Sequence, residues 1–459
     1  MLLPHQEIQL PTEFAHQTPG DYLETLYQFV ERYRWLADLH VGDFITMNLW
    51  DRLDPTWRQA LLPDSFDSEE DYQTWFASIL SLTKNDHCNE SWPDSLKEYL
   101  RLVRTLPLPR VCTQTVDDQG KVDKHKLAGG MSDKKIHEVE LLAQLIKTIG
   151  DEHGVSQVLD LGSGQGYLSR ILAFKHGMRV LAVDMSEIQT KGAERFDQRA
   201  LKALSLDEQQ GSLKHVTEMV TPDNVGDVLS KWGDGDKDDQ RWIVCGLHTC
   251  GDLATSIFRL FATSDQIQWA VNVGCCYHFL SEQGEQPGFP MGDFLEAKGY
   301  QLGNSARVLA CQSPSKWTDP VIGQQSFNQY FYRAVLLHTI VDKGLAEKAP
   351  PIGMVKRKKT YLQYFQTAMK RLDYGPDALS ETEAESYHQR YKEQQVDKQI
   401  IVLWTLRVLL APVLESLILV DRWLYLKSLP VVGDDGAVRM WPLFDPMASP
   451  RNMCIVVSK

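Results

Sequence analysis

Cysteine is scarce in this sequence. Eight fall in 459 residues, at Cys88, Cys112, Cys245, Cys250, Cys275, Cys276, Cys311 and Cys454, with no regular spacing. That excludes a disulfide framework and points to a reducing compartment, cytoplasmic or nuclear. Basic residues are in deficit: 48 Lys and Arg against 61 Asp and Glu give a net charge of −13. A bulk polyanion binder would carry a basic surface, so that class is excluded, while a local basic groove stays compatible with the balance. The start, Met1-Leu-Leu-Pro-His-Gln-Glu7, has neither the basic residues nor the apolar run of a secretory signal, and none is expected. Internal repeats are absent. Low complexity is confined to Gly233 to Asp239, which reads as an acidic surface loop.

What is present is globular. Hydrophobic residues make up 43% and charged residues 24%, with 12 Trp, 16 Tyr and 16 Phe to build cores. At about 100–200 residues per domain, the length implies two or three folded units. One segment, Ile400 to Leu426, imitates a membrane span. Its charges, Arg407, Glu415, Asp421 and Arg422, fall within roughly one third of a helix circumference. No uncharged stretch there approaches the roughly 20 residues that cross a bilayer. The expectation is an amphipathic core helix kinked at Pro412; the alternative is a single-pass membrane protein anchored through 400–426.

Residues 1–125 show helical periodicity over Asp21 to Leu39, Asp71 to Leu82 and Ser95 to Leu106, stopped by Pro107 and Pro109. They are expected to form a helical N-terminal domain. After Gly129-Gly130 the pattern changes. A helix to Ile149 precedes strands at Gln157 to Leu161, Arg179 to Asp184, Leu213 to Val216, Trp242 to Leu247 and Trp269 to Val273. Helices at Tyr167 to His176 and Ile188 to Leu204 lie between the first three. This alternation predicts a doubly wound parallel sheet over 131–280. Residues 281–397 read as an insertion, with strands at Ala306 to Cys311 and around Tyr330 to Leu337. Its basic run Lys356-Arg-Lys-Lys359 reads as a solvated face or as an RNA phosphate contact. Residues 398–459 supply a helix and a hairpin, Val438 to Phe444 with Asn452 to Ser458, expected to complete the same sheet.

The chemistry is carried first by Asp160-Leu-Gly-Ser-Gly-Gln-Gly166, set between a strand and a helix. Glycines there let the backbone turn tightly and approach a ligand closely. A dinucleotide loop wants G-x-G-x-x-G. Here the spacing is G-x-G-x-G, with Tyr167 at the place of the third glycine, and an acid ends the strand. This loop resembles that of class I methyltransferases. The resemblance makes S-adenosylmethionine the expected cofactor, bound through Asp160, Gly162, Ser163, Gly164 and Gly166. Asp184, followed by Met185, ends the second strand, where a carboxylate accepts ribose hydroxyls.

Ligands of such sheets lie beyond the carboxyl ends of the strands. The fourth strand runs into His248-Thr-Cys-Gly-Asp252 and the fifth into Gly274-Cys-Cys-Tyr-His278. His248, Cys250, Asp252, Cys275, Cys276, Tyr277 and His278 are therefore the candidate catalytic residues. Three chemistries fit them: acid–base work by His248, Asp252 or His278; zinc held by His248, Cys250, Cys275 and His278, or with Cys276 in place of Cys275; and cysteine attack on a pyrimidine ring. Cys275 and Cys276 could equally pack as small apolar residues. The [N/D]-P-P-[Y/F] motif of enzymes that methylate exocyclic adenine amines is missing after the fourth strand, so N6-adenine methylation is not supported.

Three further stretches surround the glycine loop: MSDKKIHEV (131–139), GLHTCGDL (246–253) and GCCYH (274–278). Together with Trp35-Leu-Ala-Asp38, Leu443-Phe-Asp-Pro446 and Ser449-Pro-Arg-Asn452 they resemble the methyltransferase-like protein 25 family over most of the chain, most closely its 25B branch. That branch's other name, ribosomal RNA adenine dimethylase domain-containing protein, implies an adenine acceptor. A more distant resemblance joins His248, Cys250, Gly251, Cys275, Cys276 and His278 to tRNA 2′-O-methyltransferases with H-x-C-G and C-C-x-H stretches. The first resemblance implies that Lys134, Lys135 and His137 lie near the methionine end of the cofactor or near the acceptor; as bare residues they also read as the start of a helix with solvated lysines. The expected function is methyl transfer to RNA or protein, with RNA favoured and a partner subunit in play. The rival is a non-catalytic cofactor-binding adaptor.

Overall fold

The structure is a computed structural model. It describes residues 3–84, 89–112, 127–204, 213–232, 241–314, 319–375, 377–433 and 436–459. The acidic loop expected at 233–239 and Cys88 lie outside the described residues. The chain divides into two compact units, each discontinuous in sequence: residues 1–24, 108–302 and 416–459 form one, and residues 25–107 and 303–415 the other.

The first unit is built on a seven-stranded sheet. Its strands are β1 (Gln157–Leu161), β2 (Arg179–Asp184), β3 (Leu213–Thr217), β4 (Trp242–Thr249), β5 (Ile267–Gly274), β6 (Val438–Pro442) and β7 (Met453–Ser458), in the order β3-β2-β1-β4-β5-β7-β6. The first five pair in parallel, while β7 runs antiparallel between β5 and β6. Every residue of β1 and of β7 is buried. That is why their apolar residues run continuously instead of alternating: the sheet is covered on both faces there. The helices of this unit include α1 (Asp133–His153), α2 (Tyr167–Phe174), α3 (Glu187–Leu204), α4 (Val225–Ser230) and α5 (Asp252–Thr263). Helix α1 starts at Ser132, whose hydroxyl accepts the Lys135 N–H, and ends at Gly154 in the left-handed conformation. Its Ile136, Val139, Ala143, Ile146 and Ile149 are buried with β1, β4, β5 and β7 in one core.

The second unit is helical. It contains Glu69–Ser81, Asp94–Thr105, Gly303–Ala310, Pro320–Asp342, Tyr361–Arg371, Glu381–Glu393 and Val396–Val408. The strands expected at 306–311 and 330–337 are both helices. In the first, Ala306, Leu309 and Ala310 are buried, which is helical spacing. In the second, apolar residues are buried on all sides of a 23-residue helix, so no periodicity shows. Its start is locally encoded: Asp319 accepts the N–H groups of Val321 and Ile322, with Pro320 at the first helical position. The expected N-terminal domain over 1–125 and insertion over 281–397 are thus not separate bodies. Most of each belongs to this one unit, and residues 281–302 stay with the sheet.

The apolar segment near residue 400 forms two helices, Val396–Val408 and Ala411–Ser428. The break precedes Pro412, which sits in the first turn of the second helix, where its missing N–H costs nothing. By length and composition the combined segment could cross a membrane, but 94% of its most apolar window is buried inside the fold. The four charges do not form a solvent-facing stripe: Arg407, Glu415, Asp421 and Arg422 are all buried. Arg407 donates to the carbonyls of Ala37 and Ser305. Asp421 accepts the N–H groups of Met291 and Gly292.

Candidate active site

The glycine loop leaves β1 in a conformation only glycine adopts freely. Gly162, Gly164 and Gly166 have φ of 71°, 53° and 67°. The N–H groups of Gly162 and Ser163 donate to the Val183 carbonyl at 2.9 and 3.1 Å. Gly164 N–H donates to Asp184 Oδ2 at 3.0 Å, and Ser186 N–H to Asp184 Oδ1 at 2.8 Å. Asp184 is therefore locked between loop and α3, with a second lone pair on each oxygen still available. A side-chain carbon built on Gly164 would meet nothing within 4 Å. The backbone there faces open space of the kind a bound cofactor fills. Beside it Met185, Ile188 and Met219 are exposed by 76%, 81% and 63%. These apolar side chains at the carboxyl ends of β2 and β3 suit the flat face of an adenine. Residues, spacing and open space all fit S-adenosylmethionine.

Asp160 supports the loop from beneath. It is buried and accepts a hydrogen bond from Ser169 on α2. Burial pushes its carboxyl up to about 6, against the opposing pull of Ser169. A second support was not legible locally: Arg170 Nε donates to Asp197 Oδ1 at 2.7 Å, and its Nη2 donates to the Gln165 carbonyl at 3.0 Å. His215 Nε2 lies 2.6 Å from the other Asp197 oxygen.

The second half of the site lies at the ends of β4 and β5. The pairing of these strands shifts register between Leu247 and Thr249, and His248 occupies the bulge with φ of 61°. A non-glycine residue there holds roughly 1–3 kcal/mol of strain, a feature that concentrates at functional positions. The bulge re-aims the imidazole onto α1, where Nε2 lies 2.8 Å from Glu138 Oε2. Glu138 is fully buried, and Ser449 Oγ donates to its other oxygen at 2.7 Å. Lys134 and Lys135 place their ammonium groups 3.5 Å from the same carboxylate. Burial alone would raise this acid, but His248, Ser449 and Lys135 hold it down to about 2. An ionised Glu138 only accepts, so it is Nε2 that donates to it. This is the arrangement of an imidazole base oriented by a carboxylate.

Three contacts tie the two strand-end loops together. Gly251 N–H donates to the Cys276 carbonyl at 3.1 Å, Asn272 Nδ2 to Thr249 Oγ1 at 2.8 Å, and Ser281 N–H to Asp252 Oδ1 at 2.8 Å. In consequence the sulfurs of Cys250, Cys275 and Cys276 lie within 4.8 Å of one another. Hydrogen bonding from Cys275 draws the Cys250 thiol down to about 6, with smaller help from Cys276, His248 and His278, against burial. The Cys275 thiol is pushed up by the same Cys250 partner and by burial.

Residues 134–283, which hold both halves of this site, match the family model described as a methyltransferase domain. The chain is an S-adenosylmethionine-dependent methyltransferase. It is similar along its length to the human protein named "Probable methyltransferase-like protein 25", at 25% identity over 95% of this chain and 96% of that one. The mouse protein of the same name is also 25% identical, over 96% and 97%. Among solved structures, coclaurine N-methyltransferase bound to N-methylheliamine and SAH aligns over 96% of this chain at 12% identity, with a TM-score of 0.24, a likeness too slight to argue from.

Within this methyltransferase the expected site residues separate by role. His248, Cys250, Cys275 and Cys276 converge at the two strand ends. His278 is half-buried, its ring 3.9 Å from that of Phe279. Tyr277 does not reach the site: it is 2% exposed, beneath the Arg422 guanidinium at 5.7 Å. Asp252 is engaged in holding Ser281. His137 Nε2 accepts the Asp445 N–H at 3.1 Å, so it anchors the turn between β6 and β7. The residue missed was Glu138, which stands inside the MSDKKIHEV stretch with no local sign of its partner.

Proposed function

We propose that this methyltransferase acts on a hydroxyl group of RNA, with His248 as the general base. S-adenosylmethionine, when bound, supplies a methyl group made electrophilic by its sulfonium. A ribose hydroxyl is a weak nucleophile and gains from losing its proton as it attacks. His248 Nδ1 is the lone pair that takes this proton, and the buried Glu138 stabilises the imidazolium that results. That dyad is the observation that carries the reading. An RNA acceptor is supported by Lys134 and Lys135 beside the dyad and by Phe279, which is 64% exposed and offers a face on which a base can stack. The match of His248, Cys250, Gly251, Cys275, Cys276 and His278 to the tRNA 2′-O-methyltransferase pattern favours the same acceptor.

The test is a transfer assay with methyl-labelled S-adenosylmethionine against total RNA and total protein, using the wild type and His248→Ala. The expected result is label in RNA, retained at positions that resist alkaline cleavage, and lost in the variant. Label confined to protein would overturn the reading.

A further inference from the structure

The three thiols at the strand ends are not explained by base catalysis. Among the described residues, Cys250, Cys275 and Cys276 form the cluster of at least three metal-ligating side chains whose donor atoms converge, all within 4.8 Å. Cys275 Sγ and Cys276 Sγ are 3.4 Å apart. A tetrahedral zinc with bonds of about 2.3 Å spaces its sulfurs about 3.8 Å apart, between these two values. None of the three forms a disulfide, and Cys250 is exposed. His248 and His278, expected among zinc ligands, do not belong to this converging set, which is purely sulfur.

We propose that Cys250, Cys275 and Cys276 bind a zinc ion through three thiolates, leaving its fourth position open towards solvent and acceptor. Three S–H bonds are exchanged for three S–Zn bonds, and the three protons pass to solvent. The product carries one net negative charge. Lys135, close enough to Cys275 to interact with it electrostatically, offsets that charge. Thiolates favour soft ions such as zinc over magnesium or calcium. Three protein ligands with an open fourth position are the pattern of a zinc that touches substrate, whereas a buried structural zinc takes four. The metal would pin the loop after β4 to the loop after β5, adding to the Gly251–Cys276, Thr249–Asn272 and Asp252–Ser281 hydrogen bonds. It would do so whatever the acceptor proves to be.

The test uses the full-length protein purified under reducing conditions without chelator. Elemental analysis should find about one zinc per chain. After chelation, titration with cadmium should produce a thiolate-to-metal charge-transfer absorption that saturates at the same ratio. Cys250→Ser, Cys275→Ser and Cys276→Ser should each abolish that band, and Cys112→Ser, outside the cluster, should retain it. Calorimetric binding of S-adenosylmethionine by each variant shows that it is folded. Folded wild type that is zinc-free and takes up no cadmium overturns the proposal. So does a band that survives Cys275→Ser and Cys276→Ser combined. Neither result depends on methyl transfer, so the proposal fails or stands apart from the RNA reading.

Discussion

His248 and Glu138 join two elements far apart in sequence: an imidazole on the β4 bulge and a carboxylate buried on the first turns of α1, 2.8 Å apart and 110 residues distant along the chain. The pair fixes the ring orientation and turns Nε2 towards the carboxylate. Replacing Glu138 with Gln keeps the shape but removes the charge that stabilises imidazolium. Methyl transfer should fall roughly 10²–10⁴-fold in kcat, with S-adenosylmethionine affinity little changed. Stopped transfer assays beside calorimetry measure both. Equal loss of affinity and rate would mean that Glu138 only holds the fold.

Glu138 and Asp421 predict opposite pH dependences. The Glu138 pKa is lowered to about 2 in the folded protein from an ordinary 4.5. Its contribution to stability is complete above about 4.5 and is lost as pH falls from there towards 2. Asp421 is raised by burial to about 7 from 3.8, although Met291 and Gly292 donate to it. The folded state then binds its proton more tightly, so stability falls as pH rises from about 4 to about 7. Urea unfolding of the wild type and Asp421→Asn at pH 5 and pH 8 should show a smaller decline in the variant. An unchanged decline would place the titration elsewhere.

Gly164 separates folding from cofactor binding. Its φ of 53° makes any side chain cost roughly 1–2 kcal/mol, yet nothing lies within 4 Å of the added carbon. Gly164→Arg should therefore fold, with a modest loss of thermal stability, while its side chain occupies the cofactor's space. Asp184→Ala should weaken binding by removing the ribose acceptor and freeing the loop. Calorimetry with S-adenosylmethionine and its demethylated product should show micromolar binding by the wild type, weaker binding by Asp184→Ala and none by Gly164→Arg. Binding by Gly164→Arg equal to the wild type would move the cofactor site off this loop.

The parallel sheet was legible because β1, β2, β4 and β5 are short apolar runs. The convergence of Cys250, Cys275 and Cys276 was legible too, since β4 and β5 are sheet neighbours and both motifs follow their carboxyl ends. What failed is equally physical. In residues 330–337 all but Tyr330 and Arg333 are buried, and so nearly continuous an apolar run shows no period to distinguish helix from strand. Arg407, Asp421 and Arg422 looked like a polar stripe, yet Arg407 donates to buried carbonyls, Asp421 accepts buried N–H groups and Arg422 lies over the Tyr277 ring, contacts that only tertiary structure supplies. Tyr277 stands among titratable residues but turns inward to Arg422. Glu138 was hidden because its partners, His248 and Ser449, are remote in sequence, and nothing in a helix start marks a buried acid.

Gly251 tests whether the two strand-end loops act as one device. Its φ of 56° and ψ of −129° lie outside the region other residues adopt. A side-chain carbon there would come within 2.4 Å of the Phe279 carbonyl oxygen. That oxygen is backbone and cannot swing aside, so Gly251→Ala must push the two loops apart and break the bond from Gly251 N–H to Cys276. Strain and lost contacts together should cost roughly 2–4 kcal/mol, at the upper end for a single substitution. The core of the sheet is remote from this clash, and Gly164 and Asp184 keep their contacts, so S-adenosylmethionine should still bind. Methyl transfer and cadmium uptake should both be lost, because each needs residues from both loops. Retained cadmium uptake in a Gly251→Ala protein that has lost transfer would separate the cysteine cluster from the catalytic geometry, and would leave His248 alone answerable to the loop spacing.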